Sequence, residues 1–174
     1  MNNVIIAQLD PIKVPLVKRF YKEHYPSGKA NKSELIYSLT IDSQLLGVVR
    51  LRTIEQFRLL TGMAISKEYR GQQLGKQLMD YCEENTLNEQ DYCFAYAHLE
   101  NFYSRHHFVK ITPQELPNSL KNLFERYTNS GKDLIPMHYQ QIVRECLDYL
   151  VIRHLPLVKF AVRNLHIFKV KQSI

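Results

Sequence analysis

The sequence predicts an α/β (α+β) domain: a mixed central sheet flanked by helices, with a helical segment appended at the C-terminus. Three observations predict it. Short apolar and β-branched runs separated by turn residues fill residues 34–65. A helical period opens at about Gln72 and leads back into another apolar run at 92–98. Beyond residue 139 the apolar residues recur at helical spacing in two successive segments.

The elements follow in order. Val4–Leu9 reads as a short strand, and Pro11 and Pro15 bracket the start of a helix over Val14–His24. Pro26-Ser27-Gly28 then marks a loop. Glu34–Ile41 and Gln44–Arg52 are strands, with Asp42-Ser43 as a tight hairpin between them. Phe57–Ile65 is the next strand, turning through Thr53–Gln56. Leu74, Leu78, Met79 and Cys82 share one helical face, so a helix is expected from about Gln72 to Glu84. Tyr92–His98 is a strand, Glu100–Arg105 a short helix, Phe108–Ile111 a strand and Leu116–Tyr127 a helix. Gly131 ends that helix, and Leu134–Tyr139 is the last strand. The strand–helix–strand passage from 57–65 to 92–98 should join parallel strands through a right-handed crossover.

At 174 residues, a chain with 45% hydrophobic and 23% charged residues is long enough to bury a sizeable core. No run of 18 apolar residues exists, so no membrane span is expected, and the N-terminus reads as a first strand rather than a signal peptide. Cys82, Cys93 and Cys146 are odd in number and widely spaced, without a CxxC. That pattern fits reduced thiols in a cytoplasmic protein and argues against zinc or a disulfide framework.

The net charge of +6 is uneven. From residue 140 onward six cations (Arg144, Arg153, Lys159, Arg163, Lys169 and Lys171) stand against Glu145 and Asp148. The basic residues are interleaved with apolar ones, so a solvated face on packed helices is preferred over a nucleic-acid surface. Residues 1–139 are therefore read as one domain. Residues 140–174 are read as an amphipathic extension packed on it or forming a homodimer interface. A membrane-surface role lacks a second anchoring signal.

The stretch EYRGQQLGKQLMDYC, residues 68–82, carries the chemistry. Gly71 and Gly75 lie among Lys67, Arg70 and Lys76 where a helix should begin. Helix N-termini leave backbone N–H groups unpaired and attract anions, and glycine lets a large anion approach the backbone. Neither GxxxxGK[ST] nor GxGxxG is present. By pattern alone, a plain structural turn stays open beside a phosphate cradle.

Residues 59–84, LLTGMAISKEYRGQQLGKQLMDYCEE, resemble the central motif of the GNAT superfamily of acetyl-CoA-dependent N-acetyltransferases. That motif runs from a strand, through an Arg/Gln-x-x-Gly-x-Gly/Ala turn, into a helix. Arg70, Leu74 and Gly75 match it, as does Gly71. FYSRHHF, residues 102–108, is similar to the family's Phe-Tyr-x-Arg/Lys-x-Gly-Phe segment, with Tyr103 and Phe108 in place. Gln73 departs from the family's preferred glycine, Lys67 from a frequent proline, and His107 from the glycine before Phe108. Gln73 is expected to have helical φ and ψ already, as part of the first helical turn.

The resemblance implies a GNAT-like sheet and a site for acetyl-CoA, without a metal. The pyrophosphate of coenzyme A would rest on Arg70, Gly71, Gln72, Gln73, Leu74 and Gly75, with Lys76 near. Its pantetheine arm would pair with the backbone of Met63, Ala64 and Ile65, and Tyr103 would be the general acid toward the departing thiolate. The implied reaction is direct acetyl transfer to a small-molecule amine. The other readings are a GNAT-like protein that acts on or binds a protein, an RNA or an aminoacyl-tRNA through the basic tail. His98, Glu100 and Glu55 are the candidates for general base, and Tyr21, Tyr25 and Glu34 for the acceptor pocket.

Overall fold

Alternating apolar residues resolve into one seven-stranded mixed sheet in the computed structural model, which describes residues 3–141. The strands are β1 (Val4–Gln8), β2 (Leu35–Ile41), β3 (Gln44–Ile54), β4 (Phe57–Ile65), β5 (Asp91–Tyr96), β6 (Phe108–Lys110) and β7 (Leu134–Tyr139). The helices are α1 (Val14–His24), α2 (Leu74–Asn85), α3 (Glu100–Ser104) and α4 (Asn118–Asn129). The sheet order is β1-β2-β3-β4-β5-β7-β6. Every described pairing is antiparallel except β4 with β5, the expected parallel pair across α2. The expected extension lies, beyond Gln141, outside the described residues.

Local chemistry accounts for the connections. Asp42 and Ser43 take φ values of 48° and 66°, the two-residue hairpin geometry whose twist matches that of the flanking strands. Gly131, at φ 87°, follows the C-terminus of α4, where a left-handed residue ends the helix without a Cβ penalty. The second hairpin is tighter than the sequence suggests. Ile54 pairs with Phe57, so β3 runs on to Ile54 and only Glu55-Gln56 turn.

Strand alternation assigns the helices to faces. Ile36 and Val48 pack with Val14, Val17 and Phe20 of α1, while their neighbours Tyr37 and Val49 pack with Leu74, Leu78 and Met79 of α2. Successive strand residues point to opposite faces, so α1 and α2 cover opposite sides. Leu59 and Tyr92 pack with Leu120, Leu123 and Phe124 of α4. Leu59 pairs with Arg52, which puts α4 on the α1 face. Cys82 and Cys93 are buried in the α2-side core; burial, reinforced by the charges of Asp91 and Glu83, pushes the Cys82 thiol up to about 12. Burial likewise raises Cys93, and neither thiol is poised to react.

The parallel pair is short. Arg58, Leu59 and Leu60 pair with Asp91, Tyr92 and Cys93, and no further pairing joins the two strands. The start of the pair is clamped. The Arg58 guanidinium donates to both carboxylate oxygens of Asp91, from Nε at 2.7 Å and Nη2 at 2.5 Å, and Nη2 also donates to the Thr86 carbonyl. Asp91 is fully buried. Burial raises its carboxyl above the usual range, and the Arg58 bonds pull against that rise.

Removing one partner of a buried pair strands the other charge. Arg58→Met should cost about 3 kcal/mol of stability, read as a lowered midpoint in urea unfolding. An unchanged midpoint would show that water already screens the pair.

Candidate active site

Beyond Leu60 and Cys93, β4 and β5 part, and a cleft of about 980 Å³ fills the opening. One wall is β4 from Leu60 to Ile65, and another is Ala95 and Tyr96 of β5. The start of α2 closes one end. Tyr25, His98, Phe102 and Tyr103 also line it.

The turn into α2 has the features of an anion cradle. The helix begins at Leu74 with no capping side chain and no acidic residue in its first turn. Its first N–H groups therefore lack the usual protein acceptor. Gln73 departs from expectation. It is not helical but left-handed, at φ 59° and ψ 11°, the geometry that glycine adopts without cost. The helix starts two residues later than the periodicity suggests, because an apolar pattern records facing and not φ. Gly71 is also left-handed, at φ 80°, and a Cβ there would meet open space. Two left-handed residues either side of Gln72 curl the backbone ahead of the helix.

The two cations are held differently. Arg70 donates from Nε to the Ile65 carbonyl at 3.2 Å and from Nη2 to the His24 carbonyl at 3.4 Å, tying the turn to the ends of β4 and α1. Lys76 reaches Asp80 one turn on, at 2.6 Å. Both side chains are well exposed, so this pair is worth only about 0.3–0.5 kcal/mol and yields readily to a phosphate.

Of the residues expected to hold the cofactor, Met63, Ala64, Ile65, Arg70, Gly71, Gln73, Leu74, Gly75 and Lys76 line the cleft, and Gln72 alone does not. Tyr103 lines it too, buried between Phe102 and Phe108 in edge-to-face contacts with centroids at 5.1 and 5.9 Å. Burial, followed by Cys93 and Tyr25, pushes its phenol far up, so Tyr103 holds its proton throughout the neutral range. His107 stands at φ 60°, which explains the family's glycine before Phe108: the chain turns there through a left-handed residue.

The three candidate bases separate. His98 lines the cleft, with its ring stacked against Tyr96 at 5.8 Å. Glu100 is outside the lining and pairs with Lys110 at 3.4 Å. Glu55 is exposed in the β3–β4 turn, away from the lining. Of the acceptor-pocket residues only Tyr25 lines the cleft; Tyr21 and Glu34 turn inward to Arg50. Sequence reading missed Phe94, Tyr96 and Phe102, whose apolar character marked them only as core. It also missed His106, which lines the cleft and contacts Glu83 at 2.8 Å.

The comparisons bear on this geometry. A family model described as "Acetyltransferase (GNAT) domain" matches residues 32–110. Residues 32–110 are a GNAT domain. No curated protein sequence matches the chain. Among solved structures, N-acetylglutamate synthase from Neisseria gonorrhoeae, complexed with coenzyme A and N-acetyl-glutamate, superposes with a TM-score of 0.62 at 15% identity over 80% of this chain. The match covers only 35% of that protein, so the GNAT-fold chain spans about a third of its length. The ribosomal-protein-alanine N-acetyltransferase from Escherichia coli superposes at 0.54 with 14% identity, over 80% of this chain and 94% of its own. The PaiA N-acetyltransferase from Thermoplasma acidophilum, in complex with coenzyme A, gives 0.53 at 14%, over 79% and 99%. These likenesses establish the mixed sheet with flanking helices as the GNAT fold. Among the described residues, no helix is long and apolar enough to cross a membrane.

Two outcomes follow. Gln73→Val adds a β-branched residue to a left-handed position and should lower stability by about 1–2 kcal/mol. Gln73→Gly should change it by less than about 1 kcal/mol, since relief of strain is offset by a freer unfolded chain. Thermal melts of both variants check the pair, and equal melting of Gln73→Val and the parent would reject the left-handed assignment.

Tyr103 and Tyr21 are both raised by burial. The folded state then holds their protons more tightly than the unfolded state does. Their contribution is fully present below the unfolded pKa of about 10 and falls as pH rises above it. Urea unfolding midpoints should therefore decline from about pH 10 upward, and less steeply in Tyr103→Phe.

Proposed function

We propose that this chain is an acetyl-CoA-dependent N-acetyltransferase that moves the acetyl group to a primary amine of a small molecule by direct attack. One observation carries the reading. The cleft opened by the parting of β4 and β5 runs from the uncapped start of α2 to the buried Tyr103. A phosphate-bearing thioester needs an anion cradle at one end and a proton donor at the other.

The residues present fit that cofactor. The free N–H groups ahead of and within the first turn of α2 suit a pyrophosphate, with Gly71, Gln73, Leu74, Gly75 and Lys76 in contact and Gln72 set back. The β4 backbone from Met63 to Ile65 has no partner on the β5 side and suits an extended, amide-bearing arm. The coenzyme supplies the activated acetyl group, and the protein's residues supply position and protons.

An ammonium has no lone pair, so the acceptor must first lose a proton. His98 is the one candidate base that the cleft reaches, directly or through water. Tyr103 then donates its proton as the thiolate departs. Its raised pKa keeps the donor protonated, at the expense of acid strength. Tyr25, Phe94 and Tyr96 offer the acceptor aromatic walls.

The test is direct. Calorimetry should show coenzyme A and acetyl-CoA binding, and thiol release over an amine panel should find an acceptor. Tyr103→Phe should lower kcat about 100-fold with acetyl-CoA affinity unchanged. No binding at millimolar cofactor sinks the reading, and parent-level turnover in Tyr103→Phe removes the acid role.

A further inference from the structure

The cleft is lined from both faces of the sheet, and the two sides differ in charge. Arg70, Lys76, Asp80 and Arg105 are its charged lining residues. Arg70 stands in the turn before α2, and Lys76 and Asp80 pair with each other on α2. Arg105 follows α3, whose Phe102 and Tyr103 pack with Leu74 and Leu78 of α2. All of these residues therefore belong to elements on the α2 side.

The opposite side is aromatic. Phe94 packs edge-on against Phe124 and Tyr127 of α4, with centroids at 5.1 and 6.2 Å, so it faces the side of the sheet that α1 and α4 cover. Tyr96 lies two residues further along β5 and faces the same way. Tyr25 follows α1, and burial together with this neighbouring phenol raises Tyr96. The His98 ring stacks on Tyr96. Thr61, Gly62 and Ala64 of β4 add only small groups. Among the described residues, no Lys, Arg, Asp or Glu lines this side.

An ion pair does exist on the α1 side, but it is turned away from the cleft. β4 bulges at Gly62, where Arg50 pairs with Thr61 and Val48 with Ala64. The Tyr21 hydroxyl donates to the Gly62 carbonyl at 2.5 Å, and Arg50 Nε donates to that hydroxyl at 3.1 Å. Arg50 Nη1 donates in turn to Glu34 and to the Lys29 carbonyl. The Arg50 and Glu34 side chains are 7% and 8% exposed, and neither lines the cleft. Glu34 is thus already paired, behind Tyr21, and cannot meet an incoming amine. The aromatic wall is also fixed in place. A Cβ at Gly28 would lie 2.6 Å from Tyr25 Cδ1 and 2.8 Å from the Tyr21 ring, so only glycine lets these rings pack as they do.

An ammonium entering such a wall loses water and gains no counter-charge, which favours its neutral form. A carboxylate there would hold the amine protonated, and a protonated amine cannot attack. A second ammonium or a carboxylate on the acceptor would find no opposite charge on this side. An aromatic group would find edge and face contacts with the rings. We infer that the acceptor is a primary amine on an uncharged aromatic body, bound against Tyr25, Phe94 and Tyr96. The inference rests on the acetyl-transfer reading above and gives its acceptor a chemical class.

The experiment compares amines on the full-length protein at saturating acetyl-CoA, with thiol release as the readout. The panel is 2-phenylethylamine, hexylamine, spermidine, glutamate and a short peptide with a free N-terminus. For 2-phenylethylamine, kcat/KM should exceed the values for spermidine, glutamate and the peptide by about 10-fold or more. Phe94→Leu removes the ring but stays apolar. It should lower the kcat/KM ratio of 2-phenylethylamine to hexylamine about 5-fold, chiefly through KM, with acetyl-CoA affinity by calorimetry within about 2-fold of the parent. Tyr25→Leu probes the same wall from α1 and serves if Phe94→Leu folds poorly. Spermidine, glutamate or the peptide matching the aromatic amine overturns the inference while acetyl transfer stands. So does an unchanged aromatic-to-alkyl ratio in the folded variants, or no turnover of 2-phenylethylamine by a protein that binds acetyl-CoA. If the parent binds no acetyl-CoA, the reading of the cleft falls with it.

Discussion

The brevity of the parallel contact between β4 and β5 governs the rest of the molecule. Three residue pairs hold the two strands together, and the bidentate Arg58–Asp91 bond sits at the first of them. With the start clamped, divergence further along is confined to the other end. There the sheet twist, the bulge at Gly62 and the absence of a pairing partner combine to open a cleft in the middle of a sheet. A longer parallel ladder would be more stable as a sheet and would leave no cleft. The parallel crossover through α2 also sets the start of that helix at the mouth of the opening, because the chain must leave β4 at its C-terminal end.

Much of this arrangement was legible in the sequence. The strand–helix–strand order around EYRGQQLGKQLMDYC, the Asp42-Ser43 hairpin and the glycine after α4 are local features, written in turn chemistry and periodicity. The cleft lining from Met63 to Ile65 and from Arg70 to Lys76 followed from the same local order joined to the family resemblance. Gln73 was misread because helical periodicity reports which way side chains face, while φ at the first residue depends on how the preceding turn closes. Glu34 was misplaced for a different reason. It was expected in the acceptor pocket, and its burial against Arg50 depends on a partner 16 residues away. Tyr21 bonds across 41 residues. No local pattern encodes either contact.

Where local rules fail, the failures concentrate around the cleft. Gln73 and His107 are left-handed residues with side chains, at positions where the family tends to use glycine. Gly62 adopts the same conformation inside a strand, where glycine usually weakens pairing. Arg50 and Glu34 form an ion pair in a region that hydrophobic residues could fill. Each departure is unfavourable as folding physics; Gln73 and Gly62 line the opening, and the Arg50–Glu34 pair reaches it only through Tyr21 and Gly62. That clustering is what separates a working cleft from a packing defect.

The opening also places unpaired strand backbone inside a protein. Unpaired strands at the rim of a sheet invite other chains to add on, and proteins commonly blunt them with charges, bulges or short length. Here the exposed backbone of β4 beyond Leu60 and of β5 beyond Cys93 lies within the sheet, with a further strand on the outer side of each. A foreign sheet cannot dock against such a slot. It admits one extended molecule at a time, threaded between the two strands, so the geometry that creates the binding cleft also guards this chain against strand-to-strand self-association at that place.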